Sequence, residues 1–189
     1  MRWALTIFAL LCATGFLSDE FVEALRWTRD TALGQEPYRW LTGHFMHLDR
    51  GHAALNAGGF LLVWWWLHDS LHGLRGLLVT IVAILVIDLG LWHATTFDWY
   101  VGASGWIHAL AAAGITYRSI YGDRLAFFIG LLGLAKLAAE NLSPSLLMQD
   151  DAVLVATVAH WCGVAAGISC ALGFALHDGF FRKAARTRK

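Results

Sequence analysis

The chain has 189 residues, of which 58% are hydrophobic and only 15% are charged. Soluble domains carry about 25% charged residues, so the composition disfavours a soluble fold and predicts a polytopic membrane protein. The formal net charge of zero gives no support to a nucleic-acid partner. The odd number of cysteines (Cys12, Cys162 and Cys170), all in apolar stretches, favours packing over a disulfide framework or a zinc site.

The N-terminal segment places Arg2 before an apolar run from Trp3 to Leu17. Such a run resembles a signal peptide, but a small-residue cleavage site is hard to place after it and further apolar segments follow. We therefore predict that it is the first transmembrane helix, extended into residues 18–20. Removal of the segment as a signal peptide is the alternative.

A helix needs about 20 mostly apolar residues to cross a membrane. Six segments qualify as candidate spans, numbered here in chain order: 3–17, 51–68, 74–92, 104–121, 124–142 and 153–176. The predicted fold is all-α, a polytopic membrane protein with a six-transmembrane-helix bundle. No internal repeat or linker divides it, so residues 1–189 are expected to form a single domain.

Orientation is predicted from lysine and arginine residues in short loops, which concentrate on the cytoplasmic side. One set of span ends carries these basic residues: Arg2, Arg75, Arg118, Arg124, Arg182, Lys183, Arg186, Arg188 and Lys189. Both termini are therefore expected to be cytoplasmic, with residues 177–189 as a basic tail and the first loop, about 18–50, outside. A bacterial inner membrane is the expected location, although the same topology suits an organelle.

The first polar motif is Gly102-Ala103-Ser104-Gly105, at the outer start of the fourth span. A serine at a helix N-terminus is commonly only a cap. The functional interpretation is a nucleophile placed where free backbone N–H groups and the helix dipole can stabilise an oxyanion. The flanking glycines let a substrate backbone or a neighbouring helix approach closely.

The second motif lies in the sixth span, where His160, Gly163 and Gly167 share one helix face. The two glycines form a small-xxx-small pattern, which permits close helix packing. The fourth span offers a facing stripe of small residues: Gly105, Ala109 and Ala112. If the stripes meet, His160 approaches Ser104 as the base that a serine nucleophile needs. A lone membrane histidine is otherwise a packed residue or a cofactor ligand.

The third motif enters the second span as His47, His52 and Asn56. His52 and Asn56 lie one turn apart, and both can donate hydrogen bonds to a developing oxyanion. The structural alternative is a polar pair that ties two helices together. With His44, the segment holds three imidazoles in nine residues, but no cysteine or carboxylate completes an evident tetrahedral zinc site. We expect neither a metal nor a cofactor.

Together, the order His-x4-His-x3-Asn, Gly-x-Ser-Gly and Ala-His-x2-Gly-x3-Gly resembles the rhomboid proteases, from about Tyr38 to Phe174. The resemblance implies an intramembrane serine endopeptidase that cleaves single-span membrane proteins near the outer face of the bilayer. Its roles would be Ser104 as nucleophile, His160 as base, and an oxyanion hole from His52, Asn56 and the Ser104 backbone N–H. The supporting residues would be His47, Gly102, Gly105, His108, Gly163 and Gly167.

His108 departs from the pattern of many bacterial rhomboids, which carry a tyrosine one turn after the serine, stacked on the catalytic histidine. With the compact six-span form, this departure resembles the rhombosortase branch, which implies processing of a C-terminal Gly-Gly sorting signal. His108 would stack on His160 as tyrosine does, or compete with it for the Ser104 proton.

Other polar residues also lie within the spans. Asp88 in the third span is expected to accept hydrogen bonds from a neighbouring helix, or to lie near the outer mouth close to His93. Lys136 and Glu140 are spaced to pair on one face of the fifth span. Two other classes of protein are alternatives: a small transporter with a histidine and carboxylate relay, and a haem-binding electron carrier. Both predict no dependence on Ser104.

Overall fold

A computed structural model describes residues 2–32, 34–94, 98–142 and 151–186. The predicted outer loop 143–152 and the end of the predicted tail lie largely outside the described residues. The elements, in chain order, are α1 (Arg2–Thr14), α2 (Asp19–Leu25), β1 (Trp27–Thr28), α3 (Arg29–Ala32), α4 (Arg39–Thr42), a 3-10 turn (Gly43–Phe45), α5 (Arg50–Leu67), α6 (Arg75–His93), β2 (Trp99–Tyr100), α7 (Ser104–Ile120), α8 (Arg124–Leu142) and α9 (Asp151–Arg186).

A helix lies over each of the six predicted spans, and within the described ranges two stretches are long and apolar enough to cross a membrane. These are Arg75–His93 and Thr157–Phe180. The pair Ala4–Thr14 and Asp19–Leu25 meets the same criteria together, but it is bent by 117°. Helix α9 continues beyond the predicted span, so residues 177–186 of the predicted tail are helical.

The predicted extension of the first span into residues 18–20 is wrong. Helix α1 ends at Thr14, and Ser18 precedes a separate helix, α2. The two acidic residues that open α2, Asp19 and Glu20, suit the positive end of its own helix dipole. The break therefore turns the chain sharply instead of lengthening α1.

The long loop after α1 is joined to the loop before α7 by a short antiparallel ribbon, in which Trp27 pairs with Tyr100 and Thr28 with Trp99. Beside the ribbon, the Arg29 guanidinium donates hydrogen bonds to three carbonyl oxygens at the end of α6, those of Leu91, Trp92 and Ala94, at 2.5–2.9 Å. A cation at a helix C-terminus satisfies orphan carbonyl groups and suits the helix dipole. The loop thus holds α6 and the start of α7 together.

Helix α7 lies at the centre of the bundle, where it contacts α5, α6, α8 and α9. Its buried face includes Trp106, which packs edge-on against Phe60 of α5 with ring centroids 5.7 Å apart. At the opposite end from Ser104, Arg75 of α6 donates two hydrogen bonds of 2.8 Å to Asp178 of α9. The Arg75–Asp178 pair thus joins α6 to α9, two of the helices that surround α7.

Two further polar pairs join residues that differ greatly in their separation along the chain. Lys136 and Glu140 form an ion pair on α8, as their spacing predicts. Asp88 is fully buried, and its carboxylate Oδ1 is 3.1 Å from Nε2 of His44 in the 3-10 turn, not from a group on a neighbouring long helix. The partner is therefore a loop residue 44 positions earlier in the chain.

Candidate active site

Ser104 is the first residue of α7, and the capping position belongs to Ala103, which has no side-chain oxygen. Ser104 is therefore not a cap. The preceding Gly102 has a φ of +129°, which side-chain-bearing residues rarely adopt. Its N–H donates to the Gly43 carbonyl at 3.0 Å, and its carbonyl accepts the Tyr100 hydroxyl at 2.6 Å. Both sides of the Gly102 backbone are thus fixed before the serine.

The Ser104 hydroxyl lies 2.9 Å from Nε2 of His160. Close packing of α9 against α7 brings the two side chains together. A methyl group on Gly163 would stand 2.1 Å from the Gly105 carbonyl oxygen, and one on Gly167 would stand 2.2 Å from that of Ala109. The two glycines therefore contact α7 backbone to backbone, which sets the height of His160 beside Ser104.

The other ring nitrogen of His160, Nδ1, is buried without a hydrogen-bond partner among the described residues. When Nε2 accepts the hydrogen bond from the Ser104 hydroxyl, Nδ1 must carry the ring hydrogen of neutral His160. In the described part of the chain, no carboxylate orients that hydrogen. Packing, rather than an acid, has to hold this imidazole.

His108 provides part of that packing. Its ring stacks on the His160 ring with centroids 4.1 Å apart and planes 24° from parallel. Its Nδ1 is 2.7 Å from the Ser104 carbonyl oxygen, and because a carbonyl only accepts, Nδ1–H is the donor. His108 bonds the Ser104 carbonyl, not its hydroxyl, so the stacking alternative describes this geometry and competition for the Ser104 proton does not.

His52 lies beside Gly102, two residues before the serine. A methyl group on Gly102 would stand 3.2 Å from His52 Nε2 and 3.9 Å from Ser104 Oγ. The Leu48 N–H donates to His52 Nδ1 at 3.4 Å, which leaves the ring hydrogen on Nε2, the nitrogen nearer Gly102. One turn later, Asn56 is buried, and its amide Nδ2 has no partner among the described residues. Within the part of the chain that the structure describes, two donors on one face of α5 thus have no protein acceptor.

The start of α5 is fixed by a cap and by His47. Asp49 accepts the His52 backbone N–H at 2.8 Å, and this bond lowers the pKa of the Asp49 carboxyl. His47 is almost fully buried, and its Nδ1 lies 2.8 Å from the Thr14 hydroxyl of α1. Its ring meets His52 edge-on, with centroids 5.0 Å apart. His47 therefore supports the position of the His52 ring instead of contacting Ser104.

The sequence-family model for the rhomboid domain matches residues 34–177 of the chain, about three quarters of its length. The chain belongs to the rhomboid family. It is therefore an integral membrane protein and a serine protease, a peptide hydrolase that acts on membrane-protein substrates within the bilayer. No individually curated protein matches the chain.

In this rhomboid, the serine hydroxyl and the imidazole beside it meet at the N-terminus of α7, where the His52 ring also lies close to Gly102. The first N–H groups of a helix have no acceptor within it, so the Ser104 backbone N–H adds a donor at the same place. This arrangement can bind a carbonyl oxygen and accept a proton from the attacking hydroxyl. Attack on an amide carbonyl is the chemistry that this rhomboid site favours.

Sequence reasoning missed several residues of the rhomboid site. Tyr100 and Gly43 hold the Gly102 backbone, and no motif or spacing pointed to either. His44 was considered only as a metal ligand, but its Nε2 pairs with Asp88. Over the ranges that the structure describes, no group of three His, Cys, Asp or Glu side chains is arranged to hold a metal ion. Ala112 of the predicted small-residue stripe lines a cavity between α7, α8 and α9.

Proposed function

We propose that this rhomboid hydrolyses peptide bonds with a Ser104–His160 dyad, without a third, acidic member. The 2.9 Å contact between Ser104 Oγ and His160 Nε2 is the observation that carries the proposal. Oγ attacks the substrate carbonyl carbon while its proton moves to Nε2, and the imidazolium then protonates the leaving amine as the C–N bond breaks. Water, deprotonated by His160, attacks the acyl-serine ester, and the imidazolium returns the proton to Oγ as the ester C–O bond breaks and the second product leaves.

We further propose that His52, Asn56 and the Ser104 backbone N–H form the oxyanion hole. The support is electrostatic: the Asn56 Nδ2 is buried without an acceptor among the described residues, and burial of an unpaired donor is unfavourable. A negative oxygen beside it would satisfy that donor during the reaction. Such preorganised donors stabilise the charge that develops on the carbonyl oxygen.

Single-span membrane proteins, cleaved near the outer membrane face, are the proposed substrates. We assign the rhombosortase specificity, the processing of C-terminal Gly-Gly sorting signals, on the resemblance carried by His108 at the stacking position. Glycines also suit the chemistry, because they lower the cost of unwinding a helix to present an extended backbone to the site.

The proposed topology has six spans, both termini in the cytoplasm and the first loop, about 18–50, outside, in a bacterial inner membrane. Two arguments support it. The arginines Arg75, Arg118 and Arg124 lie at one set of helix ends, as the positive-inside rule requires of the cytoplasmic side. Ser104 lies at the other end of α7, where outside water can reach it. The transporter and haem-carrier alternatives leave the serine–histidine contact without a role.

The test is cleavage of a fluorescent single-span substrate bearing a Gly-Gly signal by the purified protein in liposomes. The matched control substrate replaces Gly-Gly with Leu-Leu. We expect wild type to cleave only the first, and the variants Ser104→Ala and His160→Gln to cleave neither. Cleavage that survives Ser104→Ala would overturn the dyad. Equal cleavage of both substrates by wild type would leave the dyad and overturn the Gly-Gly specificity.

A further inference from the structure

The pair formed by His44 and Asp88 has no part in the proposed mechanism, yet both side chains are completely buried. Their contact, 3.1 Å between His44 Nε2 and Asp88 Oδ1, joins the 3-10 turn of the long loop to the outer part of α6. Titratable side chains are costly inside a membrane protein and are retained where they perform a task. The contacts of His44 indicate which task.

His44 contacts the chain on both sides of Ser104. Before the serine, its ring meets the ring of Tyr100 edge-on, with centroids 5.3 Å apart, and the Tyr100 hydroxyl donates to the Gly102 carbonyl. After the serine, the Trp106 indole N–H donates to the His44 carbonyl at 3.3 Å. His44 therefore contacts residues that lie before and after the nucleophile in the chain.

The residue before His44 adds a third link. The Gly43 carbonyl accepts the Gly102 N–H at 3.0 Å, so the 3-10 turn also fixes the backbone of Gly102, which has a positive φ. A methyl group on Gly43 would stand 2.6 Å from the backbone nitrogen of Trp27, so the turn is closed tightly against the ribbon. Asp88 is the anchor of the turn in α6, because its carboxylate is the side-chain partner of the His44 ring.

We propose that Asp88 and His44 are positioning residues that hold Gly102 and Ser104 in the reactive geometry. Asp88 accepts the His44 Nε2–H, which fixes the ring against Tyr100, and the turn then fixes the Gly102 backbone. The effect of these residues on catalysis rests on the function proposed above, whereas their effect on the position of the Gly102 backbone does not. Misplacement of a reacting group by about 1 Å lowers a rate by about 100-fold.

The experiment compares Asp88→Ala, Asp88→Asn and Asp178→Ala with wild type in detergent. Asp178 is the matched control, because it is also a helix carboxylate that pairs with a distant side chain, Arg75, but far from Ser104. The first readout is hydrogen exchange of the peptide that spans 100–106. The second is the rate of fluorophosphonate labelling per folded molecule, with thermal unfolding measured on the same samples.

We expect Asp88→Ala to accelerate exchange in 100–106 and to lower the labelling rate by about 10-fold to 100-fold. Asp88→Asn, whose amide oxygen can still accept the His44 N–H, should recover much of both. Asp178→Ala should lose thermal stability but change neither exchange in 100–106 nor the labelling rate. Exchange and labelling within twofold of wild type in Asp88→Ala, with only stability lost, would overturn the proposal.

Two further outcomes are distinguishable. If Asp88→Ala does not fold, Tyr100→Phe removes only the hydroxyl on the Gly102 carbonyl and should show the same two effects more weakly; wild-type behaviour of Tyr100→Phe would then overturn the proposal. If wild type is not labelled at Ser104, the proposed function fails while the exchange readout still decides the positioning claim.

Discussion

Gly163 of α9 lies so close to Gly105 of α7 that a methyl group on it would stand 2.1 Å from the Gly105 carbonyl oxygen. His160 is one turn earlier on the same face of α9, and its Nε2 is 2.9 Å from Ser104 Oγ, one residue before Gly105. The separation of the two helices at this glycine therefore determines whether the imidazole reaches the hydroxyl.

Replacing Gly163 by alanine should separate α9 from α7, because the new methyl group would meet the rigid backbone of Gly105. Overpacking of this kind destabilises a protein by about 1–3 kcal/mol, and we expect proteolysis to fall by more than the fraction of folded protein lost. The control is Gly173→Ala, since a methyl group there meets no atom of the described residues within 4 Å. Thermal unfolding and cleavage rates should separate the two variants; equal effects would contradict the close-packing account.

Gly102→Ala tests a different constraint. The φ of +129° is strained for alanine by about 1–3 kcal/mol, and the new methyl group would stand 3.1 Å from His52 Cε1. Gly122→Ala is the matched control, because Gly122 also has a positive φ, +94°, but a methyl group there would be more than 4 Å from every described side chain and backbone atom outside its own turn. Both variants should lose stability, and only Gly102→Ala should lose cleavage. An active Gly102→Ala enzyme would argue against a close approach of His52 to the serine.

His108→Ala should weaken the hold on the His160 ring. Stacked aromatic pairs contribute about 0.5–1.5 kcal/mol, which corresponds to a loss of about twofold to tenfold in rate. His108→Tyr keeps a ring over His160 and should retain more activity than His108→Ala. The comparison of cleavage rates at equal folded protein checks this order. A His108→Tyr enzyme that is less active than His108→Ala would show that the imidazole does more than stack.

Acidification should destabilise the fold through His47. Burial, followed by the charge of neighbouring His52, lowers the pKa of His47 to about 4 from its ordinary value of 6.5. Between these two values the unfolded chain binds a proton that the folded chain does not, so stability falls as pH decreases from 6.5 and levels off near 4. Above 6.5, His47 contributes no pH dependence.

The check is thermal unfolding of wild type and His47→Gln in detergent at about pH 7 and about pH 5. Glutamine can still donate to Thr14 but does not titrate. We expect the difference in stability between the two pH values to be smaller in His47→Gln than in wild type. An equal difference in both proteins would mean that other groups control the acid response.

Local patterns in the sequence were informative wherever one helix determines the arrangement. The period of α9 placed His160, Gly163 and Gly167 on one face, and small residues on α7 identified the surface that they meet. The Lys136–Glu140 pair follows from helix geometry in the same way, because residues four apart are neighbours.

Contacts between segments distant in sequence were not predictable, because no period relates them. His44 and Asp88 are 44 residues apart, and Arg29 reaches carbonyl groups that lie more than 60 residues away. The bend after Thr14 was also not predicted, because the apolar run continues to Leu17. These long-range contacts are the ones that hold the loop around Ser104.

The most direct test of the central claim is fluorophosphonate labelling of the purified protein, with the modified residue located by mass spectrometry. The dyad predicts that wild type is labelled at Ser104 and that Ser104→Ala is not labelled. In His160→Gln, which lacks the base, the labelling rate should be lower by at least about 100-fold. Labelling at another residue, or labelling of His160→Gln as fast as wild type, would contradict the assignment of Ser104 and His160 as nucleophile and base.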